Sequence, residues 1–345
     1  SAASDVYKRQ GEFKMKKSAS IVFFIFLIIF SSLNTAFSGD TKELSNYNKE
    51  ISNISNILIN KHNVDSSYVK KALESIKFRQ KTLNSMTNAP ERKASWERYK
   101  NIFITKERIS KGIKYHKNNY KALKEIEKKY GVPSEVIVAI LGVESRYGKA
   151  TGNIKVLDSL GTLALKHPRR AKFLKAQLIS FIVLTYKNNL NYNQIYGSYA
   201  GAMGAPQFMP ESYIKLGVDY NKDGKVDLWN SKYDIYASIA NYLNKKGWKR
   251  NQSIYTDIII KKKYIKEIFK SGDVKTIAID ENKLKKIISN GENISPGKKY
   301  LALLSKENKK YKLVNNNFKI IMTYNISTFY AMVVANLSKE IAAGK

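Results

Sequence analysis

The spacing of apolar and polar positions predicts a chain built mainly of α-helices. Between Pro133 and Gly148, the residues Ile137, Leu141 and Glu144 recur at helical spacing on one face, and most residues around them are apolar. Pro133 favours a first helical turn and Gly148 a helix end. The pattern predicts a buried helix with one carboxylate, Glu144. A carboxylate in such a place either pairs with a basic group, such as Arg146 or a nearby Lys, or keeps its proton and can serve as a general acid.

The periodicity changes from helical to strand-like and back along the rest of the chain. Helical spacing marks the ranges Val69 to Lys81, Ile109 to Tyr130 and Ser327 to Ala343. Runs rich in Ile, Val, Leu, Tyr and Lys predict strands at 253–264, 300–304, 311–314 and 318–324. Turn-like sequences stand at 88–90, 271–273 and 290–293. The predicted fold class is therefore mainly α, with one small β subdomain.

The first residues have the pattern of an export signal. Residues 1–14 are expected to be an artefactual extension, whereas Met15 is followed by the basic pair Lys16 and Lys17 and by an apolar run at 21–30. Small residues predict cleavage after Ser38, and no lipoprotein Cys is present there. The alternative is an uncleaved signal that gives transient membrane association, although the run is shorter than the roughly 20 residues of a spanning helix. Residues 15–38 are thus predicted to be a signal peptide that directs the chain to the periplasm.

The rest of the chain divides by composition. The predicted segments are an N-terminal helical region at 39–131, a dense helical core at 132–250, the β subdomain at 251–324 and a helix at 325–345 that packs back on the core. The motifs that contain candidate catalytic or binding residues fall mainly in the segment 132–250. No internal repeat is present.

Composition limits the possible partners and catalytic groups of the chain. A formal charge of +33, from 61 Lys and Arg against 28 Asp and Glu, predicts an anionic partner such as nucleic acid, anionic lipid or an acidic wall polymer. A lysine-biased genome explains the charge about as well. No nucleic-acid-binding motif is present, so specific nucleic-acid binding is not favoured. The chain has no Cys and three scattered His, which excludes thiol catalysis and disfavours zinc sites and Ser/His/Asp triads. Carboxylates remain as the expected catalytic groups.

A glycine-rich stretch from Gly197 to Pro210 is the second candidate functional segment. Its glycines allow the backbone to approach a ligand closely, and the missing Gly-Lys-Ser/Thr ending excludes a Walker loop. Ser198 and Gln207 supply hydrogen-bonding groups among apolar side chains such as Phe208. This mixture suits a sugar, which has hydroxyls at its edge and C–H groups on its faces. A tight structural turn explains the pattern equally well.

The segment from Asp219 to Asn230 matches the EF-hand pattern D-x-[DN]-x-[DN]-G. Such hard oxygen ligands favour Ca²⁺, or Na⁺, in a structural role. Position 12, a bidentate Glu in an EF-hand, is Asn230 here, and the next carboxylate is Asp234, so a longer loop of modest affinity is expected. The predicted ligands are Asp219, Asn221, Asp223, Lys225, Asp227 and Asp234. The alternative is an Asx-rich turn without metal.

With these motifs the chain resembles the membrane-bound lytic transglycosylase B family, whose members are enzymes that cleave the glycan strand of peptidoglycan. The resemblance rests on segments at 142–148, 157–160, 168–170, 197–210, 219–229, 240–242 and 324–331, which occur in the family's order. It covers residues 96–248 and resumes at 324–331. It implies a lysozyme-like helical core, no organic cofactor and a monomer that binds peptidoglycan glycan strands.

The resemblance also implies roles for single residues. Glu144 matches the single catalytic acid/base, and Arg169 and Arg170 match a pair that meets the stem peptide. The residues that match the lining of the sugar sites are Tyr99, Ser198, Gln207, Tyr242, Tyr324 and Tyr330. The chain departs from the family pattern at Asn230, which puts the cation ligands in question, and at Glu211, where Ser is more usual.

The implied reaction needs one carboxylate, whereas an ordinary glycosidase uses two. The other carboxylates of the motif region stand mostly in the cation loop, and Asp158 is expected to make a structural hydrogen bond. The resemblance implies that Glu144 protonates the oxygen between N-acetylmuramic acid and N-acetylglucosamine. It then acts as base on the muramyl 6-hydroxyl, which closes on C1 to a 1,6-anhydro product. The alternatives are a hydrolytic muramidase and a non-catalytic wall-binding or DNA-binding protein.

Overall fold

The computed structural model describes residues 41–87, 94–270, 275–289, 294 and 297–344. The chain divides into two compact units, residues 1–77 and 78–345. The predicted extension at 1–14, the signal peptide at 15–38 and the turns at 88–90, 271–273 and 290–293 lie outside the described residues.

The described part of the first unit contains two helices, α1 (Thr41–His62) and α2 (Ser66–Glu74). Asp65 caps α2, because its side chain accepts a hydrogen bond from the backbone N–H of Tyr68 at 2.9 Å. The helix predicted from Val69 to Lys81 is divided in the structure. Its first part lies in α2, which ends at Glu74, and the chain becomes helical again at Gln80, where α3 of the second unit begins.

The second unit is mainly helical, as predicted. Its helices are α3 (Gln80–Thr87), α4 (Trp96–Phe103), α5 (Lys106–Asn118), α6 (Tyr120–Tyr130), α7 (Ser134–Ser145), α8 (Val156–Lys166), α9 (Ala171–Lys187), α10 (Pro210–Leu216), α11 (Lys232–Lys245), α12 (Lys262–Lys270), α13 (Glu281–Ile287), α14 (Asn316–Tyr324) and α15 (Thr328–Ala343). Its strands are β1 (Ile154–Lys155), β2 (Tyr196–Gly197), β3 (Tyr255–Thr256), β4 (Lys275–Ile279), β5 (Lys299–Ser305) and β6 (Lys310–Val314). No single helix of the described part has the length and apolar composition of a membrane span. The pair of α14 and α15 has that length and composition only when the two are counted together, and the pair is bent by 111°.

The central helix of the second unit is α7, which packs against α5, α6, α11 and α15. Its apolar residues are buried, as the periodicity predicted, except Val143, which is half-buried. The helix ends at Ser145, before the predicted Gly148, because Arg146 itself adopts the left-handed conformation with φ of 50°. The backbone N–H of Tyr147 then bonds the Leu141 carbonyl at 3.0 Å. This turn fixes the backbone that follows Glu144.

The β subdomain is a four-stranded antiparallel sheet with the strand order β3-β6-β5-β4. Ile268 of α12 and Leu284 of α13 belong to its hydrophobic core. The strands predicted at 300–304 and 311–314 are confirmed as β5 and β6. The strand predicted at 253–264 shrinks to β3, because the chain turns into α12 at its end, and β4 was not predicted.

The strand predicted at 318–324 is wrong, since these residues form α14. Asn315 caps this helix by accepting a hydrogen bond from a backbone N–H at 3.1 Å. Phe318 and Ile321 lie one turn apart on its buried face, and α14 packs against α15. Burial of this face outweighs the strand preference of the β-branched and aromatic residues. The helix places Tyr324 beside the short loop that leads into α15.

Candidate active site

Glu144 lies in the last turn of α7, with its side chain half-buried. The hydroxyl of Tyr330 in α15 donates a hydrogen bond to Glu144 Oε1 at 2.6 Å. The two residues are 186 positions apart in the sequence, and the packing of α15 on α7 brings them together. The phenol of Tyr330 therefore orients the carboxyl group of Glu144.

The start of α15 fixes the position of this phenol. Ser327 caps the helix, because its hydroxyl oxygen accepts a hydrogen bond from the backbone N–H of Tyr330 at 3.2 Å. Burial raises the pKa of Tyr330 well above its ordinary value of 10, and the nearby charge of Glu144 raises it further. Tyr330 therefore remains a protonated donor at neutral and mildly alkaline pH.

Aromatic rings surround the Tyr330–Glu144 bond. The rings of Tyr324 and Tyr330 are stacked, with centroids 6.4 Å apart and planes at 13°. Tyr242 lies 4.7 Å from Tyr324, and Phe208 lies 5.7 and 5.8 Å from these two rings. The structure thus brings together three of the predicted tyrosines. It adds Phe208, which the sequence marked only as an apolar neighbour of Gln207.

The tyrosine hydroxyls of this cluster bind backbone carbonyl groups. Tyr324 Oη donates to the Pro206 oxygen at 2.7 Å, and Tyr242 Oη donates to the Thr323 oxygen at 2.6 Å. Burial and the charge of Glu144 raise the pKa of Tyr324 well above its ordinary value as well. The two bonds tie α14 to the glycine-rich stretch and to α11, so distant segments meet at one place.

Tyr99 belongs to a neighbouring aromatic group. Its ring lies 5.6 Å from Phe329 and 5.0 Å from Phe103. The residue is only 5% exposed, which leaves little surface for contact with a sugar. Because Phe329 directly precedes Tyr330, Tyr99 supports the start of α15 by packing.

The glycine-rich stretch folds back on itself as a tight turn. Met203 and Phe208 exchange two backbone hydrogen bonds, at 2.8 and 3.0 Å. Ser198 bonds Ala202 twice, through its backbone N–H at 2.9 Å and through its Oγ, which accepts at 3.1 Å. Gly204 has a φ of 67°, and a Cβ there would lie 2.6 Å from a backbone carbonyl oxygen. Only glycine fits this position without strain.

Gln207 joins the glycine-rich stretch to the turn that follows α7. Its amide group donates to the Thr151 oxygen at 2.9 Å and to the Gly204 oxygen at 2.8 Å. The residue has a φ of 53°, which is uncommon for a side chain of this size. These bonds hold the stretch against the segment that follows Glu144.

Arg169 and Arg170 stand just before α9, and both side chains are exposed. Their backbone N–H groups bond His167 Nδ1 at 3.2 Å, and the Arg170 guanidinium lies 5.0 Å from the Phe173 ring. Within the described part of the chain, the hydrogen bonds and ring contacts that assemble the Glu144 cluster include neither arginine. The predicted contact with a stem peptide stays a prediction.

The cation loop is held by bonds between its own carboxylates and its backbone. Asp219 accepts from the backbone N–H of Gly224 at 2.9 Å, and Gly224 has the left-handed φ of 87° expected of the turn glycine. The fully buried Asp234 accepts from the N–H groups of Tyr220 and Asp227, both at 2.9 Å. In the described ranges, no three His, Asp or Glu side chains are placed to hold a metal ion. The oxygen donors and the turn suit a hard cation, and the loop keeps its shape through its own hydrogen bonds.

A second buried carboxylate, Asp158, is already paired. It accepts a hydrogen bond from Arg79 Nε at 3.1 Å, and the backbone N–H of Arg79 donates to Thr162 Oγ1 at 3.0 Å. The structural hydrogen bond predicted for Asp158 is confirmed. This ion pair takes Asp158 out of consideration as a partner of Glu144 in catalysis.

Comparisons with known proteins bear on this arrangement. Residues 46–339 match the model of the transglycosylase SLT domain. The chain belongs to this family. The predicted family, its enzyme class and the mainly α, lysozyme-like fold are therefore confirmed.

Individual relatives are similar to this chain over most of its length. The chain is 31% identical to the membrane-bound lytic murein transglycosylase B of Escherichia coli K12 over 298 residues, which cover 84% of this chain and 81% of that one. The structure is similar to that of the Escherichia coli lytic transglycosylase Slt35 in complex with calcium, with a TM-score of 0.75, 29% identity, and coverage of 85% of this chain and 93% of that one. It is also similar to SltB3 of Pseudomonas aeruginosa in complex with NAG-NAM-pentapeptide, with a TM-score of 0.75, 26% identity, and coverage of 87% and 80%.

Proposed function

We propose that this transglycosylase cleaves the β-1,4 bond between N-acetylmuramic acid and N-acetylglucosamine in peptidoglycan, with Glu144 as its single acid/base. The observation that carries the proposal is the hydrogen bond from Tyr330 to Glu144 within a cluster of aromatic rings. Membership of the transglycosylase SLT family supports it, as does the NAG-NAM-pentapeptide bound by the Pseudomonas relative.

The proposed reaction consumes no water. Glu144 donates its proton to the glycosidic oxygen as the bond from that oxygen to C1 of the muramyl residue breaks. The carboxylate then accepts the proton of the muramyl 6-hydroxyl, whose oxygen forms a new bond to C1. The products are a free 4-hydroxyl and a 1,6-anhydro end, and Glu144 regains its proton. One carboxylate suffices because the nucleophile belongs to the substrate and acts at high effective molarity.

The surrounding residues bind the strand and limit the access of water. Tyr330 holds the carboxyl group of Glu144, and the partly exposed ring of Tyr324 offers a flat surface to the C–H face of a sugar. The buried ring of Tyr242 packs against Tyr324 and supports it. Shielding the site from water protects the intramolecular step from hydrolysis. The residues assigned to polar contacts are Ser198 and Gln207 with the sugar hydroxyls, and Arg169 and Arg170 with the carboxylates of the stem peptide.

The cation loop is proposed to bind Ca²⁺ or Na⁺ in a structural role. The proposed ligands are oxygen atoms of Asp219, Asn221, Asp223, Lys225, Asp227 and Asp234. The calcium complex of Slt35 supports this assignment. The proposed location is the periplasm, where an exported monomer meets peptidoglycan.

The test is a digestion of purified peptidoglycan with the parent protein and with Glu144→Gln, followed by mass spectrometry of the products. Anhydro-muropeptides from the parent and none from the variant are expected. Products heavier by one water would instead show a hydrolytic muramidase. An absence of products from the parent would leave a wall-binding protein on the same fold.

A further inference from the structure

The ribbon of β1 and β2 carries an exposed ring and a lysine side by side. Tyr196 in β2 is 45% exposed, and Lys155 lies directly opposite it in β1. Directly opposed residues of an antiparallel pair project from the same face. The ribbon thus presents an aromatic surface and a cation together.

This face continues the wall formed by the glycine-rich stretch. Side chains alternate along extended backbone, so Tyr196 and Ser198 share one face and the intervening Gly197 faces the other way. The ribbon itself ends at Gly197, but Gly197 also forms an isolated bridge with Met203, next to which the Ser198 N–H bonds the Ala202 oxygen at 2.9 Å. A Cβ at Gly197 would lie 2.2 Å from the Ala202 oxygen and 2.9 Å from the Val156 side chain, so no side chain fits at this buried position between Tyr196 and Ser198. Tyr196 therefore stands beside Ser198, a residue assigned to the sugar sites.

The ribbon is also rigid. A Cβ at Gly152 would lie 2.0 Å from the Gly197 oxygen, so the two segments meet backbone to backbone. The backbone N–H of Val156 bonds the Ile195 oxygen at 3.0 Å, and the Gln207 amide bonds the Thr151 oxygen at 2.9 Å. A ring on a rigid support loses little conformational entropy when a ligand packs on it.

We infer that Tyr196 and Lys155 form an outer subsite for the glycan strand, beyond the sugars that flank the scissile bond. The inference rests on the proposed function. The Tyr196 ring packs on the C–H face of a saccharide, and the Lys155 ammonium pairs with a carboxylate of the peptide that the strand carries.

The first experiment measures steady-state kinetics on long soluble glycan strands and on a fragment of two disaccharide units. Tyr196→Ala is expected to raise KM for the long strands about threefold to tenfold, without a change in kcat. KM for the short fragment stays at the parent value, and so does KM of Tyr196→Phe on the long strands, because the ring is retained. The matched control is Tyr120→Ala, which removes a 52% exposed tyrosine from α6.

A second experiment tests the role of Lys155 separately from that of Tyr196. Lys155→Gln is expected to raise KM for strands that carry peptides and to leave KM unchanged for strands stripped of peptides by an amidase. An equal effect on both kinds of strand would overturn the assignment of Lys155 to the peptide carboxylate.

A binding measurement tests the subsite independently of catalysis. In the Glu144→Gln background, fluorescence anisotropy gives the Kd for labelled long strands with and without Tyr196→Ala. A loss of affinity of about threefold to tenfold supports the subsite even where the parent protein yields no anhydro products. Equal affinities, or an equal loss with Tyr120→Ala, would refute it while leaving the proposed function intact.

Discussion

The hydroxyl of Tyr330 lies 2.6 Å from Oε1 of Glu144 and joins the first turn of α15 to the last turn of α7. The Ser327 cap holds the backbone of Tyr330, and the stack with Tyr324 holds its ring. Hydrogen bonds from a neutral donor to a carboxylate are short and strong. The bond therefore fixes the direction of the group proposed to move the proton in both steps.

Removal of the Tyr330 hydroxyl is expected to slow the reaction and leave substrate binding nearly intact. Tyr330→Phe keeps the stacked ring and loses a bond to a charged group, for which about 1.5–3 kcal/mol is typical. We expect kcat to fall about 10- to 100-fold, with little change in KM. The control is Tyr115→Phe, which removes a hydroxyl bonded to Tyr236. Equal losses in both variants would show that the Glu144 bond has no special role.

Stability is expected to decrease at high pH because of the tyrosines whose pKa values the fold raises. Tyr324 and Tyr330 lose their protons in the unfolded chain near the ordinary pKa of 10, whereas the raised pKa values in the fold retain them. Above about pH 10 the folded state binds more protons, so the free energy of unfolding falls as pH rises, by at most about 1.4 kcal/mol per pH unit for each group. Below about pH 10 this contribution is fully present.

Urea unfolding at a series of pH values from about 8 to 11 measures this loss. Tyr324→Phe is expected to flatten the decline above about pH 10, since it removes one titrating group from both states. Other buried tyrosines with raised pKa values, such as Tyr147 and Tyr236, continue to contribute. A parent stability that stays level up to about pH 11 would contradict the explanation.

The amide of Gln207 is expected to be essential to the glycine-rich stretch. Gln207→Glu keeps the shape but places carboxylate oxygens against the Thr151 and Gly204 carbonyl oxygens. We expect the free energy of unfolding to fall by about 1–3 kcal/mol and kcat/KM to fall at least about tenfold. Gln194→Glu makes the same change of charge at an exposed position and serves as the control. Parent-like activity and stability in Gln207→Glu would rule out this role.

The cation loop is expected to affect stability rather than turnover. Millimolar Ca²⁺ should raise Tm by about 2–5 °C, and a chelator should leave the helical circular dichroism intact because Asp234 already bonds the loop backbone. Asp223→Asn is expected to abolish the Ca²⁺ effect. The control Asp257→Asn, at an exposed aspartate outside the loop that pairs with Lys312, is expected to retain it. A parent Tm that does not respond to Ca²⁺ or Na⁺ would favour the metal-free Asx-rich turn.

Binding to the cell wall is expected to depend on salt. A formal charge of +33 attracts the peptide carboxylates of peptidoglycan, and salt screens this attraction. Sedimentation with insoluble peptidoglycan measures the bound fraction of Glu144→Gln, which leaves the wall intact. We expect a large decrease between about 50 and 500 mM NaCl. Unchanged binding would favour a lysine-biased genome as the explanation of the charge.

The local sequence identified the candidate acid, and distant contacts completed its surroundings. Glu144 was singled out by the spacing of apolar residues in a single helix, which reflects local periodicity, and the family resemblance implied its catalytic role. Its bond to Tyr330 depends on the packing of two helices far apart in the chain, and residue spacing does not encode such a contact. Phe208 lay in a recognised stretch, but its contacts with Tyr242 and Tyr324 exist only in the fold.

The sequence by itself determined the helical core, the cation loop pattern and the family, because these depend on periodicity and on residue types at fixed spacing. Only the tertiary structure decided that residues 318–324 form a helix, since burial against α15 outweighs local strand preference. It also decided that Arg146 ends α7 and that Tyr99 is buried beside Phe329. These outcomes depend on which surfaces meet in three dimensions, and a local pattern of residues does not contain that information.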